Sequence, residues 1–401
     1  MVDLLPFGKR VRFYRERRGL RQWQLGELLN RSEDWVYRVE SGRIPVNNVT
    51  MLADLADALR VPVEDLRGRP KPLGVRDDHA ASVPAIRAAL TQSRLLAGAL
   101  YDDRGPLRLE RLAGEVDKAW NLYQSSEYAR LAALLPALLA DARTATRVHD
   151  RGDGGHRALR LFALTCHVTA ILLRKLGETN LAWVAADQGE IAASESGDPS
   201  TVVALRRGVA HVQLGAGMAA EAVDVTLRTA DDLPGDWWDS SPEALSLYGT
   251  LFLNGAIAGA RLRDRPLAAD MMARATRAAD RLGGDANEMW TAFGPTNVEI
   301  HRLALAIEFE DVQLAADIAP GVRPTRDLPV ERRACARLDV ARAYGEAGRT
   351  DDAADHLKRA FRTAPEQIWA HESARDLARR LHKRTGRRDV RELALDIGAF
   401  G

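Results

Sequence analysis

From Ala85 to about Leu395 apolar residues return every three or four positions, and nowhere do they alternate with period two over a strand's length. That spacing places one apolar stripe on a helix and leaves no sheet face to pair, so the expected fold class is all-α. Clusters of Gly, Pro and Asp interrupt the pattern: Asp102 to Pro106, Gly152 to Gly155, Gly197 to Pro199, Leu233 to Asp236, Gly283 to Asp285 and Ala319 to Gly321. They recur roughly every 40 residues, the kind of period that marks stacked helical repeats. The clearest unit runs from Arg337 to Pro365. Ala341, Ala353 and Ala360 let two antiparallel helices approach, Gly348 makes the turn between them, and Pro365 ends the second. Tyr344 and Leu357 complete the spacing of a tetratricopeptide repeat, and Gly177/Ala182, Gly217/Ala222 and Ala268/Met272/Ala275 are degenerate echoes. Stacked helix pairs with a continuous core are expected.

The 401 residues exceed one ordinary core. Three segments are expected: a compact helical domain over 1–68, a linker over 69–84, and the helical-repeat domain over 85–401. The linker carries Pro70, Pro72, Gly74 and Pro84 and should be extended and exposed. A net charge of +1 says nothing about partners, so the placement of charge matters instead. Cys166 and Cys335 lie in no metal or redox spacing and point to a reducing compartment. Met1 to Gly8 does not read as a signal peptide, and Leu159 to Leu173, interrupted by Arg160 and His167, falls short of a membrane span. A cytoplasmic protein without membrane, metal or cofactor is the expectation. An enzyme is not expected either, because no HExxH, GxSxG, paired CxxC or kinase signature is present. Gly152 to Gly155 follows a helix rather than the strand a phosphate loop needs.

Phe7 to Leu66 reads as five short amphipathic helices. Phe7, Val11 and Tyr14 share one face of the first, opposite Lys9, Arg10, Arg12, Arg15, Arg17 and Arg18, and Gly19 ends it. Leu25, Leu28 and Leu29 are core positions of the second helix. Ser32 is a good N-cap for a third helix anchored by Val36 and Val39 and ended by Gly42. Leu52, Leu55, Ala56 and Leu59 form the fourth, and Val63 and Leu66 close the bundle.

This stretch resembles the Cro-repressor (XRE) helix-turn-helix family over about 60 residues. The matching positions are Gly19-Leu20, Gln22, Leu25, Ser32, Val39-Glu40, Gly42, Pro45, Leu52, Ala56, Leu59 and Val61-Pro62. The resemblance implies double-stranded DNA as partner, with Ser32 to Ser41 lying in the major groove. It implies a phosphate contact from Gln22, base-edge contacts from Glu33, Asp34 and Arg38, and an ion pair between Arg15 and Glu40. Arg21, Ser32, Tyr37 and Arg43 complete the implied DNA-contacting set. Glu33 and Asp34 either accept from cytosine or adenine amino groups or stabilise the positive end of the third helix. Trp35 either stacks on the sugar-phosphate edge or joins the core. The basic face of the first helix, with Arg21, Arg31 and Arg43, would supply counterion-release affinity. Acidic residues nearly cancel that charge, so a homodimer on a two-fold operator is expected.

Further segments resemble actinobacterial regulators that join such a domain to degenerate tetratricopeptide repeats: Trp120-Asn121-Leu122-Tyr123, Leu131 to Pro136, Phe293 to Val298 and Leu338 to Tyr344. The architecture is also similar to the peptide-sensing RRNPP regulators, which implies a peptide or small-molecule effector on the repeats. Asn121, Asn254 and Asn297 either clasp an extended ligand or bond between helices. Trp290 and His301 are further candidates, although His301, like His167, also suits a satisfied core histidine. Trp237-Trp238 is either a lid or a loop packed on the next repeat. The arginines between Arg379 and Arg388 form either a second nucleic-acid patch or a solvated helix face. Two other functions fit the same sequence: a repeat adaptor whose helix-turn-helix has lost DNA affinity, and an antitoxin-like repressor.

Overall fold

A computed structural model describes residues 7–46, 49–61, 63, 66, 77–91 and 107–400. The described residues are mainly helical, with no strand among them. The first four helices are α1 (Phe7–Arg17), α2 (Gln22–Leu28), α3 (Glu33–Glu40) and α4 (Val49–Leu59). Val11, Leu25, Val36, Val39, Leu55 and Leu66 are almost fully buried between them. Of the expected fifth helix, Val63 and Leu66 are described and helical. Leu28 departs from expectation and is 56% exposed. Leu25 and Leu29, four apart, occupy the inward face of this short helix and leave Leu28 to its side.

α5 (Asp77–Thr91) is a helix with Pro84 inside it, where an extended segment ending at Pro84 was expected. Pro84 is exposed, and the helix is held beyond it by buried Ile86 and Leu90. Arg143 caps the Ala89 carbonyl at 2.5 Å and Gln188 that of Leu90 at 3.0 Å. Burial of the last two turns offsets the one backbone donor that proline removes. The earlier part of the expected linker, and the break from Asp102 to Pro106, lie outside the described residues.

Helix pairs follow: α6 (Leu109–Gln124) with α7 (Tyr128–Val148), α8 (Gly152–Lys175) with α9 (Thr179–Ser196), and α10 (Pro199–Ala216) with α11 (Ala219–Asp231). Next come α12 (Pro242–Arg261) with α13 (Arg265–Leu282), α14 (Pro295–Glu308) with α15 (Val312–Ile318), and α16 (Val330–Glu346) with α17 (Thr350–Thr363). The chain ends in α18 (Pro365–Trp369), α19 (Glu372–Thr385) and α20 (Arg388–Asp396). Local chemistry sets these boundaries. Asp198, Ser241 and Asp264 each accept a hydrogen bond from the backbone N–H three residues on, with proline in the first turn. Gly217 and Gly348 take φ of +85° and +80° in the turns, a conformation side chains disfavour. Gly152 to Gly155 opens α8 rather than forming a loop.

The result is a helical solenoid behind the four-helix unit. In the unit from Arg337 to Pro365, Ala341, Ala353, Leu357 and Ala360 are fully buried between α16 and α17, and Pro365 starts α18. The core is divided rather than continuous. One buried group runs from Ile86 to Val212 and another from Ala292 to Ala399, with smaller groups between. There the helices meet closely through small residues: a Cβ on Gly249 would overlap the Phe293 ring, and one on Gly259 would touch the Ala268 backbone. α8 is the one described helix long and apolar enough to cross a membrane, and 78% of its most apolar window is buried against neighbouring helices. It is longer than the Leu159–Leu173 stretch suggests, and its burial makes it the central helix of the repeat core.

The two ends of the repeat stack meet. α16 packs on α6. Lys175 donates to Glu331 at 2.7 Å and Gln367 at 2.8 Å, Tyr128 Oη donates to Gln367 at 2.5 Å, and the Ala129 N–H donates to Glu366 at 2.9 Å. Gln124 and Asn287 exchange hydrogen bonds at 2.9 Å, and Trp120 stacks on Trp290 with centroids 4.7 Å apart and planes 5° from parallel. Nearest-neighbour stacking alone would leave these ends apart.

Candidate nucleic-acid interface and helical-domain interior

Ser32 caps α3 as expected, its Oγ accepting from the Trp35 N–H at 3.1 Å. Asn30, with φ +51°, turns the chain into it. Gly26 allows the turn to close, since a Cβ there would come 2.7 Å from the Arg31 carbonyl oxygen. Gly8 does the same for α1 against α3, with the Val39 carbonyl oxygen 2.4 Å from the position a Cβ would take. α3 is thereby fixed by Val36 and Val39 on one side and leaves Glu33, Asp34, Tyr37 and Arg38 exposed on the other. No repeat helix covers that side among the described residues.

The expected ion pair is present and buried. Arg15 Nε and Nη2 reach Glu40 at 2.5 and 3.1 Å, and Arg15 Nη1 donates to the Leu20 carbonyl at 2.7 Å. Gln22 joins the same group, its Nε2 donating to Glu40 at 2.8 Å. Arg15 bonds both carboxylate oxygens, and Gln22 adds a second donor to Oε2, whose lone pairs accommodate two. Asp34 lies 3.7 Å from Arg38 one turn on, and the Arg43 guanidinium covers the Tyr37 ring at 5.3 Å. Arg21 is exposed at the start of α2. Trp35 is half-buried with the Arg31 guanidinium 5.6 Å over its ring, so it joins the core edge.

The basic face of α1 is smaller than the sequence suggests. Arg10 is buried and donates to the Leu66 carbonyl at 2.6 Å, and Arg18 donates to the Ala58 carbonyl. Lys9, Arg12 and Arg17 remain exposed. Arg12 sits 2.7 Å from Glu16, whose carboxyl this hydrogen bond holds below its usual range. The domain touches the solenoid where α4 packs on α10 and where Arg31 reaches Glu310 at 3.9 Å. Glu310 also accepts from Arg263 at 2.7 Å.

Residues 6–68 match the helix-turn-helix domain family. The chain therefore joins a helix-turn-helix domain to a helical solenoid. Two solved structures are similar to it. BtubC (BKLC) from P. vanneervenii is 17% identical over 64% of this chain and 91% of its own, with a TM-score of 0.39. Bacillus thuringiensis PlcR, in complex with the peptide PapR7 and DNA, is 14% identical over 69% of this chain and 95% of its own, with a TM-score of 0.27. No curated protein matches the chain.

The solenoid candidates do not form one cluster. Asn121 is exposed while Trp120 and Leu122 beside it are buried. Asn254 Nδ2 donates to the Arg207 carbonyl at 3.4 Å, a bond between helices. Asn297 is buried, its Oδ1 without a partner, and its carbonyl accepts from His301 Nδ1 at 2.9 Å. Trp290 is held in the stack on Trp120, in a turn where Met289, Trp290 and Ala292 all have positive φ. His167 and His301 are core histidines. Burial drives His167 well below its usual range, and burial with nearby Arg332 takes His301 to about 3. Trp238 is buried, packs edge-on to Tyr248 and donates to the Ala230 carbonyl at 3.3 Å, so that loop is packed on its neighbours. In the C-terminal arginines, Arg379, Arg380, Arg387 and Arg388 are paired with Asp376, Glu346, Asp389 and Glu392. No group of His, Cys, Asp and Glu suited to a metal occurs among the described residues.

The strongest polar feature of the interior is one the sequence did not flag. Burial alone would raise the Glu331 carboxyl, but the charges of Lys175 and Arg332 override it and hold it at about 2. Lys175 is raised well above its usual range, burial being outweighed by Glu331. Its ammonium also lies 5.5 and 5.8 Å over the rings of Tyr123 and Tyr128. The partners are 156 positions apart, so only a signal in the fold could have paired them.

Proposed function

We propose that the protein is a sequence-specific DNA-binding transcription regulator of the XRE type. Its solenoid, read as degenerate tetratricopeptide repeats, dimerises and senses a peptide or small molecule. The observation that carries the reading is the capped α3, rigid on its core side and open on the side bearing Glu33, Asp34, Tyr37 and Arg38. A helix so presented enters the major groove with its first turns against base edges. Arg38 is the base-reading side chain of this set, since guanidinium can bond guanine at two points. Arg21 and Arg43 flank it toward the phosphates, and Gln22 acts indirectly by fixing Glu40 between α2 and α3.

The solenoid's part in the reading rests on closure. A ring whose ends meet through Lys175 and Glu331 has two arrangements available, closed and open, and a ligand preferring one of them can bias the DNA-binding unit. PlcR, which was solved with a peptide and DNA, offers an example of such pairing of partners. No reaction is proposed for any residue, and the chain is read as acting inside the cell.

One observation favours a second reading, the adaptor with an inactive helix-turn-helix. Asp34 is exposed on α3 and stands against Arg38, so it both repels phosphate and competes for the base-reading cation. Genome-wide mapping of bound sites separates the two, because the adaptor gives no enriched motif. For the operator so found, Arg38→Ala should weaken binding by roughly 1–3 kcal/mol and relax preference at one base pair. Operator affinity unchanged in that variant refutes the assignment of Arg38.

A further inference from the structure

The interior of the solenoid carries cations that the fold leaves unmatched. Arg174 and Lys175 end α8, Arg207 and His211 lie one turn apart on α10, and Arg332 sits in the first turn of α16. Lys175 is satisfied by Glu331 and Gln367. The other three are not. The Nε atoms of Arg174, Arg207 and Arg332 are buried without a hydrogen-bond partner. Among the described residues no carboxylate reaches any of the three guanidinium groups. Asp339, the next acid along α16, is taken by Arg342 at 3.1 Å.

These groups converge. His211 feels the charges of Arg174, Lys175, Arg207 and Arg332 together, and burial with that field drives it well below its usual range. The imidazoles of His167, His301 and His371 border the same cations and are likewise kept neutral, first by burial. Burial also brings Arg207 down to about 10, which leaves it charged at neutral pH. The fold makes room for this arrangement. Gly215 lets the Arg174 stem lie along α10, since a Cβ there would come 3.0 Å from its Cγ and Cδ, and Asn254 holds the backbone of Arg207. Four cations around one imidazole face two buried carboxylates, Glu331 and Asp339, which are already engaged by Lys175 and Arg342. Half-buried charge without a counter-ion destabilises a fold, and an anion bound among these cations would reverse the sign of that contribution.

We propose that this cluster of cations from α8, α10 and α16 binds a small anionic ligand whose phosphate or carboxylate groups are held by Arg174, Arg207 and Arg332. The site rests on the reading of the solenoid as a sensor and gives it a ligand class. Planar guanidinium groups from three helices suit an anion with several oxygens. Neutral imidazoles and the Tyr123 and Tyr128 rings border it on the uncharged side.

The full-length protein is titrated with inorganic pyrophosphate and, separately, with citrate, each against sodium chloride of equal ionic strength, by thermal unfolding and calorimetry. At least one of the two should raise the melting temperature saturably beyond the salt control, and which one does so names the head group. Arg207→Gln and Arg332→Gln should abolish that rise. Without ligand Arg207→Gln should melt no lower than the wild type, because it relieves repulsion, whereas Arg332→Gln also removes a charge that favours ionised Glu331. No rise with either anion, a rise retained in both variants, or an Arg207→Gln variant that melts well below the wild type without ligand would each overturn the proposal. The regulator reading is tested apart from this. Operator binding with no anion response would sink only the site, and an anion response with no duplex affinity would sink only the regulator.

Discussion

Replacing Lys175 by Met tests whether the solenoid is a closed ring. The methionine keeps the length of the stem and removes the charge, leaving Glu331 in a site where its side chain is 14% exposed. In the native protein the Glu331 carboxyl falls from its ordinary 4.5 to about 2. At about 1.4 kcal/mol per decade that is roughly 3 kcal/mol of interaction favouring the charged form. Breaking a buried pair from one side usually costs about 3–5 kcal/mol, so both routes give a similar figure. The sign with pH follows from the depressed value. The contribution of Glu331 is complete above its unfolded pKa near 4.5 and is lost as pH falls toward about 2. Lys175, raised above its usual range, contributes below its unfolded pKa and loses that contribution only in strong base. Urea unfolding at pH 7 should therefore show Lys175→Met destabilised by about 3 kcal/mol, and the difference from wild type should shrink below pH 4.5. The double variant Lys175→Met/Glu331→Leu should recover most of the loss, since apolar replacement of a buried pair is often neutral. Tryptophan fluorescence, which senses the Trp120–Trp290 stack, should lose its native signal at lower urea than circular dichroism in the single variant. A loss under about 1 kcal/mol, with the two signals still coincident, would refute the claim that this pair closes the ring.

Two other substitutions probe the N-terminal domain. Glu40→Ala leaves buried Arg15 without its carboxylate and frees Gln22; the domain should lose about 3–5 kcal/mol and become the first site of limited proteolysis, and a digestion pattern like the wild type's would count against the pair's importance. Glu310→Ala removes the partner of Arg31 across the domain boundary. The pair is half-exposed, so stability should change by less than about 1 kcal/mol, while operator affinity measured by anisotropy should shift; identical affinity would show that this contact does not restrain the domain.

Much of the N-terminal domain was legible in the sequence because its signals are local. Ser32 before an apolar-periodic run, Gly19 and Gly42 after two others, and the Val36/Val39 spacing each act within a few residues. Arg10 and Arg18 were misread because their partners are the backbone carbonyls of Leu66 and Ala58. A helical wheel gives the face of a side chain but not the acceptor that folding brings to it. Pro84 was misread for the converse reason: local chemistry forbids the helix less strongly than Ile86 and Leu90 demand it. In the solenoid the amides inside apolar helices include Asn254, which bonds to the Arg207 carbonyl, and Asn297, whose own carbonyl accepts from His301. The same helices hold a better signal, cations that close or interrupt apolar runs, as Arg174 does after Ile171-Leu172-Leu173 and Arg207 between Leu205 and Val209. Charge at such positions is expensive enough to require a reason, and an amide is not.

α10 connects the two halves of the molecule. It receives α4 from the DNA-binding unit, and it presents Arg207 and His211 to the interior. A helix packed on both sides does not deform continuously; it moves as a body between arrangements that its neighbours permit. Drawing Arg207 toward an anion shared with α8 and α16 would therefore displace the surface on which α4 rests, with no chain of intermediate residues needed. The closed ring matters for the same reason. With α16 tied to α8 through Glu331 and Lys175, the third cation-bearing helix cannot retreat when the anion binds, and α10 is the element left to move.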